Sequence, residues 1–470
     1  MQRTRTDLDT GSVGKLLFQL SVPAIIAQLV NILYNIVDRV FLGRIENGEM
    51  AMAGVGVAFP IIILISAFSS LVGAGGAPLA AIQMGKQDND KAEKIMTNSF
   101  ISLIIIAIIL TIVFMVFKEP ILWLFGASEV TIKYSLEYLG IYLLGTVAVQ
   151  ISLGMNPFIN TQGFARIGMS TVIIGAITNI ILDPIFIFGF NMGVKGAALA
   201  TIIAQSVSAI WVLKFLFGSK SRLKLRKEYL KPDFEIISKT ISLGISPFIM
   251  QSTESLLLIS LNSSLSKYGG DIAVSTMTIM SSIIQMITLP AAGIGQGGQP
   301  IISYNYGANN FDRVKKTFKL MLIGALGYTC FMGCLTTFFP SFFIAIFTSE
   351  PAVVEMAQWS IPLYLGGMFV YGGQLACQQS FLALGQAKIS MFLALLRKII
   401  LLIPLIYILP MFFDDNSEKL KAVLWAEPIA DILASLTTMT CFSIFYRKVL
   451  RKDKIATPIE EPVEDHKLAV

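Results

Sequence analysis

Two carboxylates stand among apolar residues, where a charge is costly. Asp183 lies in the middle of "TNIILDPIFIFGF", and Asn179 precedes it by one helical turn. Asp38 ends a polar stripe with spacings of three and four, which places the stripe on one helix face; its other members are Gln28, Asn31 and Asn35. Insertion scales give a cost of about 2.5–3.5 kcal/mol for a charge at the centre of a membrane-spanning helix. Both acids are therefore candidates for a function.

A further polar face carries Thr201 and Gln205, which lie four residues apart. Carboxylate, amide and hydroxyl oxygens suit a hard cation such as sodium. Two carboxylates in a low dielectric resist double ionisation, so they suit a proton equally well. We predict a proton or sodium site at Asp38, Asn179, Asp183 and Thr201, supported by the polar stripe and Gln205. The alternative is that both acids are structural and are satisfied by Asn, Thr or Arg39.

The second half of the chain has its own acids. Glu427 and Asp431 lie four apart on one face, and an ion pair with Arg397 is one explanation for them. The other explanation is a second coupling or substrate site, for which Glu254 is the best candidate. Two amides one helical turn apart could line the same cavity: Gln374 and Gln378.

Long apolar segments carry these residues. Of 470 residues, 54% are hydrophobic and 14% are charged, with a mean hydropathy of +0.71; soluble domains have about 25% charged residues. Segments that can cross about 30 Å of hydrocarbon recur along the chain. We predict an all-α polytopic membrane protein with twelve transmembrane helices: 14–42, 51–82, 92–117, 132–160, 167–190, 196–217, 235–267, 272–303, 314–337, 354–384, 389–413 and 422–446.

The basic residues predict the orientation. With the N-terminus inside, most Lys and Arg fall on the inner side, as the positive-inside rule requires. We expect a multi-pass protein of the cell (inner or plasma) membrane with both termini in the cytoplasm. The net charge of +6 is then a topology signal and does not favour nucleic acid as a partner. The four cysteines lie in apolar segments without disulfide or metal spacing, and the only histidine is His466.

The two halves repeat each other at an offset of 222 residues. Pro78 matches Pro300 and Gly85 matches Gly307, and three further pairs share the register: Phe125 with Phe347, Gly163 with Gly385, and Arg166 with Lys388. Six helices in each half make the repeat parallel, with a pseudo-two-fold axis along the membrane normal. The predicted divisions are an N-lobe at 1–217, a basic cytoplasmic linker at 218–234, a C-lobe at 235–446 and a disordered tail at 447–470. At this offset Asn179 and Asp183 become Leu401 and Leu405, so the fold does not require the acid cluster.

Three motifs resemble those of the MATE (multidrug and toxic compound extrusion) family, with most similarity to its bacterial MepA-like group. They are "NIVDRVFLG", "NIILDPIFIFG" and "GVKGAALAT", which resemble the family's first, fifth and sixth helices. The resemblance implies that Asp38, Asn179, Asp183 and Thr201 form a site for sodium or proton coupling. Glu254, in "GISPFIMQSTE", falls where NorM-type members have an acid in helix 7. The further acid of those members, in helix 10, has no counterpart near Gln374.

The resulting hypothesis is a cation-coupled antiporter, driven by H⁺ or Na⁺, that exports organic cations, drugs or other amphipathic compounds by alternating access. It would need no cofactor, would bind small molecules and membrane lipids, and would be a monomer. A flippase for lipid-linked precursors or metabolites remains an alternative. An embedded enzyme is disfavoured because the apolar segments contain no histidine and no thiol–base pair. ATP-driven transport is disfavoured by the lack of a P-loop motif.

Overall fold

The computed structural model describes residues 7–45 and 48–450, which are mostly helical and contain no β-strand. Twelve long helices correspond one by one to the twelve predicted segments, so the all-α, two-bundle prediction is confirmed. The predicted tail 447–470 begins in the last helical turn, Tyr446–Leu450. Its remainder, which includes His466, lies outside the described residues.

We number the twelve helices in chain order. They are α1 Val13–Leu42, α2 Gly48–Gly85, α3 Asn89–Leu124, α4 Ile132–Leu144 with Thr146–Thr161, α5 Ala165–Pro184, α6 Val194–Phe217, α7 and α8 as the two legs of Phe234–Gly307, α9 Phe311–Phe338, α10 Pro351–Tyr364 with Met368–Ala383, α11 Ala387–Leu395 with its continuation to Phe412, and α12 Asn416–Phe445. Nine of these described runs, with α7 and α8 counted as one, are long and apolar enough to cross a membrane. The two parts of α4 form a tenth span, bent by 60°.

Gly270 separates α7 from α8. Its φ of 63° and ψ of −158° leave the helical region, which a glycine permits at little steric cost. A straight helix of 74 residues would be about 110 Å long. The chain instead turns back, because Gly244 of α7 abuts Leu71 while Gly307 at the far end of α8 abuts Ile82. Both contacts lie on α2, only about 17 Å apart along its axis.

The repeat in the sequence reappears in the backbone. Gln87 and Asn309, which are 222 residues apart, both adopt a positive φ, of 64° and 57°. The next residue in each half caps the following helix: Asp88 accepts a hydrogen bond from the backbone N–H of Lys91, and Asn310 accepts one from that of Arg313. The same local structure therefore ends α2 and α8 and begins α3 and α9. We call α1–α6 the N-lobe and α7–α12 the C-lobe.

A reciprocal pair of glycine contacts joins the lobes. A Cβ on Gly85 would lie 2.0 Å from the carbonyl oxygen of Tyr304, and a Cβ on Gly307 would lie 2.0 Å from that of Ile82. Each of these residues is 222 positions from its counterpart in the other contact. The contacts are thus related by the pseudo-two-fold axis, which passes between α2 and α8. We call this place the α2–α8 crossing.

The linker between the lobes is held against the N-lobe. The side-chain oxygen of Gln162 accepts hydrogen bonds from the backbone N–H groups of Arg222 (2.7 Å) and Leu223 (3.0 Å). Leu223 is fully buried, and Arg226 forms an ion pair with Glu93 at 2.8 Å. Since Gln162 caps the end of α4 and Glu93 belongs to α3, this part of the linker moves with the N-lobe.

Asp233, just before α7, continues this attachment. Lys94 of α3 donates a hydrogen bond to its carboxylate at 2.6 Å, and this bond holds the pKa of Asp233 below its ordinary value. The same side chain caps α7 by accepting from the backbone N–H of Glu235 at 3.1 Å. The start of the C-lobe is therefore tied to α3.

The α2–α8 crossing leads to a prediction about stability. We expect Gly85→Ala to lower the free energy of unfolding by about 1–3 kcal/mol, because the added methyl group would overlap a backbone oxygen that moves only with its helix. Gly327→Ala in α9 is the matched control, since a Cβ there meets nothing within 4 Å and the alanine gains helix propensity. Thermal unfolding of detergent-purified protein should show opposite shifts for the two variants. Equal thermal stability would show that the lobes do not depend on this close approach.

Candidate functional site

The four residues predicted to form an ion site lie together in the N-lobe. The Asn179 side-chain N–H₂ donates to Asp183 Oδ1 at 3.3 Å and to Thr201 Oγ1 at 3.4 Å. Asp183 is fully buried and interacts electrostatically with Asp38 of α1. The structure therefore brings α1, α5 and α6 to one cluster, which we call the acid cluster.

Several buried oxygen atoms of the acid cluster have no hydrogen-bond partner among the described residues. Among the described residues, Oδ1 of Asp38, Oδ1 of Asn179 and Oδ2 of Asp183 are buried and have no partner. Neither acid has an ion-pair partner in that part of the chain; Arg39 instead stands over the ring of Phe59, with its guanidinium carbon 5.6 Å from the ring centroid. Buried polar atoms without partners are costly. A cation or proton bound among these oxygens would remove that cost.

Tyrosines complete the surroundings of the cluster, and the pattern of polar residues in the sequence did not predict them. Tyr34 and Tyr138 both lie beside Thr201 and interact with Asp38. Tyr138 also stacks on Tyr142, with ring centroids 6.2 Å apart. A signal for one of them was present, because Tyr34 precedes Asp38 by one helical turn on the same face.

A cavity of about 370 Å³ lies between the lobes and reaches the acid cluster. Asn179 and Thr201 line it together with three predicted supporting residues, Gln28, Asn31 and Gln205. The side chain of the fourth, Asn35, lies outside what the structure describes. Gln28 donates to the side-chain oxygen of Gln296, on α8, at 3.4 Å. The predicted stripe therefore faces a cavity shared by both lobes.

Most of the predicted C-lobe candidates are engaged in ion pairs. Arg397 bonds Glu427 at 2.9 Å and Asp431 at 2.6 Å, and its guanidinium lies 5.2 Å from the ring centroid of Tyr371. This is the structural pairing that the sequence left open. Both acids are buried, so the three charges form a closed group. We call it the C-lobe triad.

Glu254 pairs with Lys398, the residue next to Arg397. The Lys398 ammonium also donates to the carbonyl of Met250 at 2.7 Å. Glu254 is not among the residues that line the 370 Å³ cavity. The expectation that it faces substrate there therefore finds no geometric support in this conformation.

The two C-lobe amides lie beside the triad. Gln378 donates to Ser246 at 2.8 Å and to the backbone oxygen of Ser390 at 2.9 Å. Gln374 accepts from Ser435 at 3.4 Å. Both line a separate cavity of about 30 Å³, which has room for one or two water molecules and not for an organic substrate.

The repeat relates the triad to the large cavity. At the offset of 222 residues, Arg397 corresponds to Gly175 and Glu427 to Gln205, and both N-lobe residues line that cavity. In the N-lobe, a glycine and an amide border the open cavity. At the equivalent positions of the C-lobe, the side chains of an ion pair occupy the corresponding space. The two lobes thus share a fold and differ in their polar interiors.

Comparisons with known proteins identify the family. The MatE family model matches the chain twice, at residues 23–185 and 247–408, once in each lobe. The multidrug export protein MepA of Staphylococcus aureus (strain N315) is 27% identical over 454 residues, covering 96% of this chain and 97% of MepA. MepA of Staphylococcus haemolyticus (strain JCSC1435) is 25% identical over 433 residues, covering 92% of this chain and 93% of that protein.

Solved structures agree with this result. An outward-facing conformation of a multidrug resistance MATE family transporter of the MOP superfamily superposes with a TM-score of 0.88 at 21% identity, covering 96% of this chain and 100% of that one. A MATE crystal structure in a bent conformation gives a TM-score of 0.86 at 21% identity, covering 94% and 99%. These likenesses establish the fold, and the family model extends over both lobes. The resemblance seen in the sequence motifs is therefore confirmed: the chain belongs to the MatE family.

Proposed function

We propose that this protein is a secondary antiporter of the cell membrane, not an enzyme, that exports small organic molecules in exchange for protons or sodium ions. Its MepA relatives are named multidrug export proteins, and the proposal extends that role to this chain. Both termini would lie in the cytoplasm, as the distribution of basic residues predicts. The protein would act as a monomer, because each lobe supplies part of one shared cavity.

One observation carries the proposal: two carboxylates, one fully buried and one partly buried, stand at the end of a cavity shared by both lobes and have no ion-pair partner in the described part of the chain. Asp38 and Asp183 each have a buried oxygen without a partner among the described residues. Asn179 joins Asp183 to the cavity, since it bonds that acid and lines the cavity. Binding of a cation or proton here would change the charge beside the cavity, and so could couple ion binding to substrate release.

Alternating access follows from the two-lobe geometry. Lys86 and Arg313 flank the α2–α8 crossing, which would be closed on the cytoplasmic side if the basic residues lie inside. The conformation described would then be the outward-facing one. An ion and a substrate each shift the equilibrium between conformations only through their different affinities for the two states. Exchange requires that they favour opposite states or compete for the same one.

Flux measurements in proteoliposomes test the proposal. Sodium and pH gradients would be imposed separately, with ethidium as a cationic probe and radiolabelled chloramphenicol as a neutral one. We expect movement of at least one probe to follow one of the gradients, and to stop when an ionophore collapses that gradient. Probe movement that is equal with and without both gradients would contradict ion coupling and would favour a flippase-like mechanism.

A further inference from the structure

The chemistry of the cavity lining is unusual for a site that takes organic cations. Among the described residues that line the 370 Å³ cavity there is no Asp, Glu, Lys, Arg or His. Amide side chains are supplied by both lobes instead, including Gln28, Asn156 and Asn160 from the N-lobe and Gln296, Gln299 and Gln379 from the C-lobe. Each amide offers both hydrogen-bond donors and an acceptor.

Aromatic side chains are nearly missing from the lining. Tyr34 is the one Phe, Tyr or Trp among its described members. Sites for quaternary or delocalised cations rely on aromatic faces or on a carboxylate, which give a desolvated cation its attraction. Apart from Tyr34, neither feature occurs among the described lining residues, so a lipophilic cation would lose hydration there with little compensation.

The acids of the N-lobe do not supply the missing charge. Asp38 and Asp183 lie behind Asn179 and Thr201 and are not among the lining residues. Neither carboxylate therefore contacts a solute in the cavity directly, because Asn179 and Thr201 form the surface there. What remains exposed to a substrate is an array of amides and hydroxyls.

We infer that the cavity between the lobes selects neutral solutes with many hydrogen-bonding groups, such as polyhydroxylated or amide-bearing molecules, over organic cations. This inference rests on the proposed function, in which the cavity between the lobes is the substrate site. A solute that cannot pair with the amides would leave polar groups dehydrated, whereas one with matching donors and acceptors replaces their water. The volume of about 370 Å³ is at the lower end for drug-sized pockets, so the solute is a single small molecule.

Equilibrium binding to detergent-purified protein, without any ion gradient, tests the inference. The neutral probe is radiolabelled chloramphenicol, which carries an amide and two hydroxyl groups, and the cationic probe is tetraphenylphosphonium. We expect chloramphenicol to bind at least about tenfold more tightly than tetraphenylphosphonium. Gln299→Leu should weaken chloramphenicol binding about tenfold, because it removes one hydrogen-bonding side chain.

A charge introduced into the lining should reverse the preference. Gln296→Glu should raise tetraphenylphosphonium affinity about tenfold and lower chloramphenicol affinity. Gln358→Glu is the matched control, because Gln358 is exposed on α10 and does not line the cavity. It should change neither affinity.

The outcomes separate this inference from ion coupling. Wild-type binding of tetraphenylphosphonium that equals or exceeds that of chloramphenicol overturns the inference, even where flux remains coupled to a gradient. Absence of chloramphenicol binding also overturns it, as does a Gln296→Glu protein with unchanged affinities. Chloramphenicol could bind preferentially while flux is independent of both gradients. That result would support the selectivity inferred for the cavity and would contradict the proposed ion coupling.

Discussion

Asp38→Asn and Asp183→Asn are each expected to abolish gradient-driven export while leaving the protein folded. An asparagine cannot gain or lose a proton at neutral pH and brings no charge to a bound sodium ion. A charge-assisted hydrogen bond contributes about 1.5–3 kcal/mol, so ion affinity should fall roughly tenfold to a hundredfold. Flux in proteoliposomes under the effective gradient measures the loss. Asp271→Asn, at an exposed position after the Gly270 break, is the control and should transport normally.

The stability of these variants distinguishes a coupling role from a structural one. In the absence of a bound ion, the acid cluster holds buried oxygens without partners, and replacing a carboxylate with an amide relieves part of the desolvation cost. We expect the asparagine variants to unfold at a temperature no lower than the wild type. Wild-type transport by either variant, or a large fall in its unfolding temperature, would point to structural acids.

Arg397→Met is expected to lower the free energy of unfolding by about 3–5 kcal/mol. The substitution leaves Glu427 and Asp431 buried without the cation that both bond, and an uncompensated buried charge carries a cost of this size. Thermal unfolding in detergent and the yield of folded protein measure the effect. Lys239→Met breaks an exposed pair with Glu235 and should cost no more than about 1 kcal/mol.

Replacing the whole C-lobe triad tests whether it has a function beyond the fold. Arg397→Met combined with Glu427→Leu and Asp431→Leu removes every charge of the group, and apolar residues of similar volume can restore stability. We expect this triple variant to be about as stable as the wild type and to retain coupled flux. A stable triple variant that no longer transports would show that the triad acts in coupling or substrate binding.

Hydropathy and periodicity predicted the helices and their polar faces, and α1 shows why. A membrane helix must satisfy its polar side chains away from lipid, so residues spaced by three and four must share a protein-facing side. Gln28 and Asn31 do line the cavity. Asn179 and Asp183, one turn apart on α5, bond each other as their spacing allows. In both helices, the spacing of residues along the sequence was sufficient to predict which polar side chains share a face.

Contacts between helices were harder to predict. Glu254 bonds Lys398 and not the adjacent Arg397, and this choice depends on how α11 is rotated. The segment Leu396–Leu402 is π-helical, which changes the direction of each side chain relative to an α-helix. Tyr138 was missed for a similar reason: an aromatic residue in an apolar segment looks like a packing residue until the helix beside it is known. A sequence does not show directly how a helix is rotated about its axis or which helix packs beside it.

The reciprocal form of the α2–α8 crossing bears on the ancestry of the protein. Gly85 meets a backbone oxygen of the second half, and Gly307 meets the corresponding oxygen of the first. Two identical subunits related by a two-fold axis make contacts of this kind, in which residue i meets j and j meets i. The crossing is therefore what a homodimer of six-helix subunits, inserted in the same direction, would have kept after gene duplication and fusion. The two halves could then diverge in sequence at interior positions such as Gly175 and Arg397. A side chain gained at Gly85 or Gly307 would instead have pushed the fused halves apart.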